Sequence, residues 1–183
     1  NYDVNNITRW VKNGYIIKLK RGWYAFTECI QDRDMALLIA NQITEPSYIG
    51  LHYALAFYGM IPETIIQLTS VTTKKTARYE NAIGVFTYQT ITPRLFFGYQ
   101  PLSITNSYNG GRIYTIATPE KALLDLLYLH PEYQTEDDFV QLRLDEDFML
   151  YELNQARLNE YLQRWNSPQL NKRVKLLLKA YNI

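Results

Sequence analysis

The sequence predicts a mixed α/β (α+β) chain, and three observations predict it. Runs of branched and aromatic residues with period-two alternation fill the middle of the chain, helix-start signals and apolar stripes fill the last third, and a short amphipathic segment followed by a turn-linked pair of strand-like runs opens it. At 183 residues and 21.6 kDa, with 47% apolar residues, such a chain buries roughly 70% of its extended surface on folding. That suffices for one large domain or two small ones without staples. The pattern divides the chain into residues 1–27 and residues 34–183, the latter a mixed or antiparallel sheet with a helical carboxy-terminal part.

In order, Asn5 or Asn6 is expected to cap a first helix in which Ile7, Trp10 and Val11 recur at helical spacing, with Gly14 as the left-handed C-terminal residue. IIKL and WYAF then form a hairpin across Lys20-Arg21-Gly22. After a polar connection over 27–33, a helix is expected from Asp34 to Ile43, stopped by Glu45-Pro46, and another from Leu51 to Tyr58, ending at Gly59. Strands are expected at Ile65–Thr72 and in GVFTYQTI, RLFFGY and RIYTIA, the last two separated by the Asn109-Gly110-Gly111 turn region. Thr118 as cap, Pro119 at the first helical position and Glu120 in the first turn start a helix, followed by helices at about 135–141, 146–163 and 168–181.

A formal net charge of +1 conceals a segregation. Residues 1–26 hold five bases against one acid, 27–118 balance, 119–160 hold three bases against eleven acids, and 161–183 hold five bases and no acid. Two basic ends are candidates for nucleic acid. In the first helix, packing of Ile7, Trp10 and Val11 leaves Asn5, Asn6, Thr8, Arg9 and Lys12 for the other face, where they can donate to base edges and phosphates in a major groove. Lys18, Lys20 and Arg21 lie on the hairpin, where cations displace the counterions of a phosphate backbone. Helix followed by two-stranded wing is the carboxy-terminal half of a winged helix-turn-helix; the alternative is a solvated helix beside a hairpin whose lysines guard a sheet edge.

YIGLHYALAFYGMIPE, VTTKKTARYENAIGVFTYQTI followed by FFGY, and ATPEKALLDLLY occur in this order after RGWYAF. Together they resemble the AbiEi family of antitoxins from type IV toxin-antitoxin systems, over most of residues 5–130. The resemblance implies a transcriptional regulator whose amino-terminal winged helix binds double-stranded operator DNA. It also implies a larger carboxy-terminal domain supporting antitoxin activity, and an operon shared with a nucleotidyltransferase-like toxin. By position, the recognition helix falls on Asn5–Asn13 and the wing on Ile16–Phe26. The two helices that precede the recognition helix in that family are not in this chain, which begins at Asn1 rather than Met; a partial DNA-binding domain and a fragment of something longer are therefore expected. A protein-interaction module that neutralises a toxin by direct contact is the alternative, and a nucleic-acid-processing enzyme a third reading.

Catalytic groups are few. His52 and His130 are the two histidines, 78 positions apart and without a nearby cysteine, so no zinc site is expected and His52 is read as packed or capping. No GxGxxG, GxxxxGK or GxSxG pattern occurs, and no acid stands two positions before a lysine as a Glu-x-Lys nuclease requires. Asp137-Asp138 and Asp145-Glu146-Asp147 are read as solvated helix-start acids rather than magnesium ligands. No catalysis, cofactor or metal is expected. Lys74, Lys75 and Arg78, in a loop after a strand, are secondary candidates for phosphate, set against a solvated basic turn. Lys172, Lys175 and Lys179 on the last helix are likewise set against a lysine-rich surface. Lys121 and Asp125 are read as a flank pair at i, i+4 beside an apolar stripe, worth a few tenths of a kcal/mol. Sixteen tyrosines and seven phenylalanines suit a core or an interface more than base stacking. With one cysteine, Cys29, and no apolar run near the roughly 20 residues that span a bilayer, a reducing, cytoplasmic compartment without a membrane partner is expected.

Overall fold

Local signals start most of the helices. A computed structural model describes residues 4–31, 33–104 and 111–183, with only the backbone described at 4, 5, 29, 31 and 33. Thr118 accepts from the Lys121 amide at 3.4 Å and Pro119 opens α4 (Pro119–Leu129). Thr135 and Asp138 form a capping box on α5 (Glu136–Gln141), Asn154 caps α6 (Gln155–Trp165), and Ser167 with Pro168 starts α7 (Pro168–Ala180). Each cap satisfies amide donors that the first turn leaves without intrahelical partners.

The described residues open with α1 (Val4–Lys12), then the antiparallel pair β1 (Ile16–Lys20) and β2 (Trp23–Phe26), joined at Gly22 with φ +78°. A 3₁₀ turn, Thr27–Gln31, leads to α2 (Arg33–Ile43). A six-stranded mixed sheet follows, built from β3 (Ser47–Ile49), β4 (Leu68–Thr72), β5 (Ala77–Asn81), β6 (Gly84–Thr90), β7 (Tyr99–Ser103) and β8 (Ile113–Ala117), with α3 (Leu51–Phe57) between β3 and β4. Its order is β5-β6-β4-β3-β8-β7, with β3/β8 and β4/β6 parallel and the other pairs antiparallel.

Helices cover both faces of this sheet. Tyr88 aligns through Ser70 with Ile49 and donates its hydroxyl hydrogen bond to the Ala40 carbonyl of α2 at 2.6 Å, while Tyr48, next to Ile49, points the other way and donates to Asp125 of α4 at 2.7 Å. All three residues of β3 are accordingly buried. The hairpin joins the same body: Leu19 is buried, and the Asn81 side-chain amide of β5 donates to its carbonyl at 3.2 Å.

Several expectations need correction. Among the described residues α1 already includes Val4, so neither Asn5 nor Asn6 caps it; both are helical, and the Asn5 side chain lies outside the described residues. RLFFGY is not a strand: Pro93–Leu95 makes a 3₁₀ turn and pairing begins only at Tyr99, because Pro93 cannot donate to a ladder and Gly98 turns the chain with φ +73°. β4 begins at Leu68 rather than Ile65. The helix expected over 146–163 is broken into a π-helical segment, Phe148–Glu152, and α6, since Leu153 is extended and Asn154 starts a new helix. β3 and β5 were not expected; three residues are too few to show a period, and TARYEN carries too many polar groups to stand out. Asn109 and Gly110 lie outside the described residues.

Candidate nucleic-acid interface

On α1, Thr8, Arg9 and Lys12 are exposed while Ile7 and Trp10 are half-buried. Val11, expected on the packed face, is exposed as well. Arg9 is oriented along the helix by a 3.1 Å bond to the Asn6 side-chain oxygen, so its guanidinium is directed while most of its donors stay available. Thr27 donates to the Gly14 carbonyl, and the Tyr15 amide closes on Trp10 at 3.0 Å; these bonds tie the end of α1 to both ends of the hairpin.

The hairpin cations part company. Lys18 and Arg21 are exposed. Lys20 is half-buried, its ammonium donating to the Ile43 carbonyl and lying 5.0 Å from the Trp23 ring and 5.6 Å from the Tyr79 ring. It acts as a strut between the hairpin and the end of α2 rather than as a free tip cation.

Sequence spacing gave no reason to join Lys20 to the secondary basic set, yet the fold does so. Lys20, Thr44, Glu45, Lys74, Lys75 and Tyr79 line one open cleft of about 530 Å³. Lys74 and Lys75 are exposed in the turn between β4 and β5. Arg78, expected in that loop, instead stands on β5 and pairs with Glu80 at 2.8 Å. On α7, Lys172 and Lys175 are exposed, whereas Lys179 is paired with Glu136 of α5.

The largest departure concerns ATPEKALLDLLY. Lys121 and Asp125 are not on a flank; both side chains are fully buried and form an ion pair. Tyr48 completes the group, donating to Asp125 and accepting from the Lys121 ammonium at 2.8 Å, and that ammonium lies 4.3 Å from the centre of the Trp165 ring. Burial pushes the Asp125 carboxyl up and the Lys121 ammonium down, while their mutual attraction works against both shifts. Burial also raises the Tyr48 phenol, and the Asp125 charge adds to it. The signal was present in the sequence: five of the six residues from Ala122 to Leu127 are apolar, so the helix is apolar all round and a charged pair within it has no solvent face. Glu120 is buried too, accepting from the Asn154 amide at 2.9 Å and from Arg157 at 3.4 Å, which docks the start of α6.

His52 and His130, distant in sequence, meet with ring centres 5.8 Å apart. His130 bonds Glu132 at 2.8 Å, and burial, then His130, holds the His52 imidazole below its ordinary value. Among the described residues no group of three or more histidines, cysteines or acids is placed to hold a metal ion. The Asp138 carboxylate is occupied by the Gln134 and Thr135 amides at 3.0 and 2.8 Å. Among the described residues no helix is long and apolar enough to cross a membrane. No family model matches this chain, and no curated protein matches it.

Proposed function

We propose that this chain is a DNA-binding transcriptional regulator with antitoxin function, with α1 as recognition helix and the β1–β2 hairpin as wing, and with no catalytic role. It acts on operator DNA of its own operon and counteracts a nucleotidyltransferase-like toxin, in the cytoplasm. The observation that carries the reading is local: Thr8, Arg9 and Lys12 stand exposed on one short helix whose end is bonded to a hairpin exposing Lys18 and Arg21. Groups that reach base edges and groups that reach phosphate are thereby held in one piece of structure. The ordered resemblance of RGWYAF, ALAFYGMIPE and ATPEKALLDLL to the antitoxin family supports the second half of the reading.

A direct protein contact is the second reading, and exposed apolar side chains favour it. Tyr15 and Phe26 are 63% and 68% exposed, on the same part of the molecule as Trp23 and Tyr24. Patches of this kind mark partner surfaces more often than chance.

The test is a titration of the chain into a duplex from the region upstream of its own reading frame, against a scrambled duplex, at two salt concentrations. Specific, salt-sensitive binding is expected. Arg9→Ala/Lys12→Ala is expected to lose about tenfold or more in affinity and most of the preference for the cognate duplex, since a base or phosphate contact is worth about 1–3 kcal/mol. Equal affinity for both duplexes, unchanged by the substitutions, removes α1 from the mechanism.

A further inference from the structure

The Lys74–Lys75 turn is held from several sides by hydroxyl groups. Thr72 Oγ1 accepts from the Lys74 amide at 3.1 Å and donates to the Pro46 carbonyl at 2.7 Å. Thr90 Oγ1 donates to the Lys74 carbonyl at 2.7 Å and lies 3.0 Å from the Thr76 hydroxyl. The Lys74 backbone is therefore bonded by two side chains, Thr72 at the end of β4 and Thr90 at the end of β6, and the two ammonium groups are what the turn presents outward. Among the described residues neither ammonium is paired with a carboxylate, whereas Arg78, three residues on, is neutralised by Glu80. Opposite the turn stands the base of the hairpin tip, where Lys20 lines the same cleft and is anchored to Ile43.

We propose that this turn is a second seat for the phosphate backbone of duplex DNA, so that a duplex touching Lys18 and Arg21 on the hairpin runs on across the cleft to Lys74 and Lys75. The proposal rests on the DNA-binding reading of α1 and the hairpin. The cleft suits a polymer better than a compact anion. It is open, the Lys20 charge is committed to a carbonyl, and Glu45 lines it; a single small anion in it would meet that carboxylate. A duplex carries one charge per roughly 1.7 Å of axis and is long enough to reach Lys74 and Lys75 on one side of the cleft together with Lys18 and Arg21 farther along the hairpin. Fixing the turn in advance removes part of the ordering cost of such a contact.

The experiment compares the chain with Lys74→Gln/Lys75→Gln on the same upstream duplex. Two lost phosphate contacts make the salt slope shallower by about two, so the affinity deficit of the variant at about 50 mM salt shrinks about tenfold by about 200 mM. The preference for the cognate over the scrambled duplex is expected to stay as it was. Lys74→Arg/Lys75→Arg should keep the slope, and Glu45→Gln should tighten binding. Matched melting temperatures check that each variant is folded. If the chain binds the duplex and the glutamine variant keeps its slope and affinity, the second seat is wrong and the recognition reading stands. If the chain binds no duplex at low salt, both fall. Saturable binding of inorganic phosphate that the glutamine variant abolishes would make the cleft a small-anion site and overturn the proposal.

Discussion

Lys121 carries an ammonium into a place closed to bulk solvent, bounded by Asp125, the Tyr48 hydroxyl and the rings of Trp165, Phe97 and Tyr48. Its worth lies in completeness, because a buried charge without its partner costs far more than the pair gains over an apolar core. Lys121→Met is expected to lower the unfolding free energy by about 3–5 kcal/mol, and Lys121→Met/Asp125→Leu by clearly less than the two single changes added together. Denaturant titration of the four proteins decides, and additive losses would show that the pair does not act as a unit. His52 makes a different prediction. Its folded-state pKa lies below the ordinary 6.5 because burial and then His130 disfavour its charge, with Glu63 and Glu132 opposing. As pH falls below 6.5 the unfolded chain takes up this proton before the folded one, so the group's contribution to stability is full above that pH and is lost on acidification. The denaturation midpoint should fall between neutral and mildly acid pH, and fall less in His52→Gln. An identical fall in both would exclude the imidazole.

At the scale of elements, the strand-to-helix corner before α4 depends on one glycine. Gly98 has φ +73°, and a Cβ there would lie 2.9 Å from the Tyr161 ring and 3.1 Å from two carbons of Lys121. Its carbonyl accepts from the Thr118 amide at 2.9 Å, which joins the start of β7 to the end of β8, while side chains from α4 and α6 crowd in. Gly98→Ala pays twice, through the left-handed conformation and through the overlap, and a loss of about 2–4 kcal/mol with a correspondingly lower melting temperature is expected. Wild-type stability in that variant would mean the contact relaxes freely. Elements with their own punctuation were legible in sequence: α4, α5 and α7 start where Thr118-Pro119, Thr135 and Ser167-Pro168 stand. β3 and β5 were not, since β3 is recognisable as a strand only through its pairing with β4 and β8. RLFFGY misled because its aromatic residues fill the core from a 3₁₀ turn as well as they would from a strand: Leu95 and Phe97 are buried there.

Across the whole molecule, the segregation of charge along the chain is partly cancelled in space. The acid-rich stretch and the basic last helix meet where Glu136 pairs with Lys179, and Arg173 is turned inward to the Leu127 carbonyl at 2.8 Å. Two of the bases in the last segment are therefore spent within the fold, while those of α1 and the hairpin tip, Lys20 apart, face outward. In the same duplex titration, Lys172→Gln/Lys175→Gln should leave affinity within about twofold and the salt slope unchanged, because α7 packs on α4 and α5 rather than beside the hairpin. A loss as large as that of Arg9→Ala/Lys12→Ala would move the DNA-facing surface to the carboxy-terminal helix.

By itself the sequence determined the mixed α/β class, the starts of α3, α4, α5 and α7, the hairpin and the short list of cations able to face a polyanion, because caps, turn glycines and hydrophobic periods act within a few residues of chain. Tertiary structure alone decided which of those cations are free. Lys20 became a strut, Arg78 and Lys179 became ion-paired, and Lys74 and Lys75 came to share a cleft with the hairpin. It also turned Lys121 and Asp125 from an apparent surface pair into a sealed one. The physical reason is the same in each case: the energy of a charge depends on the solvent and partners around it, and these are supplied by segments tens of residues away that no local pattern records.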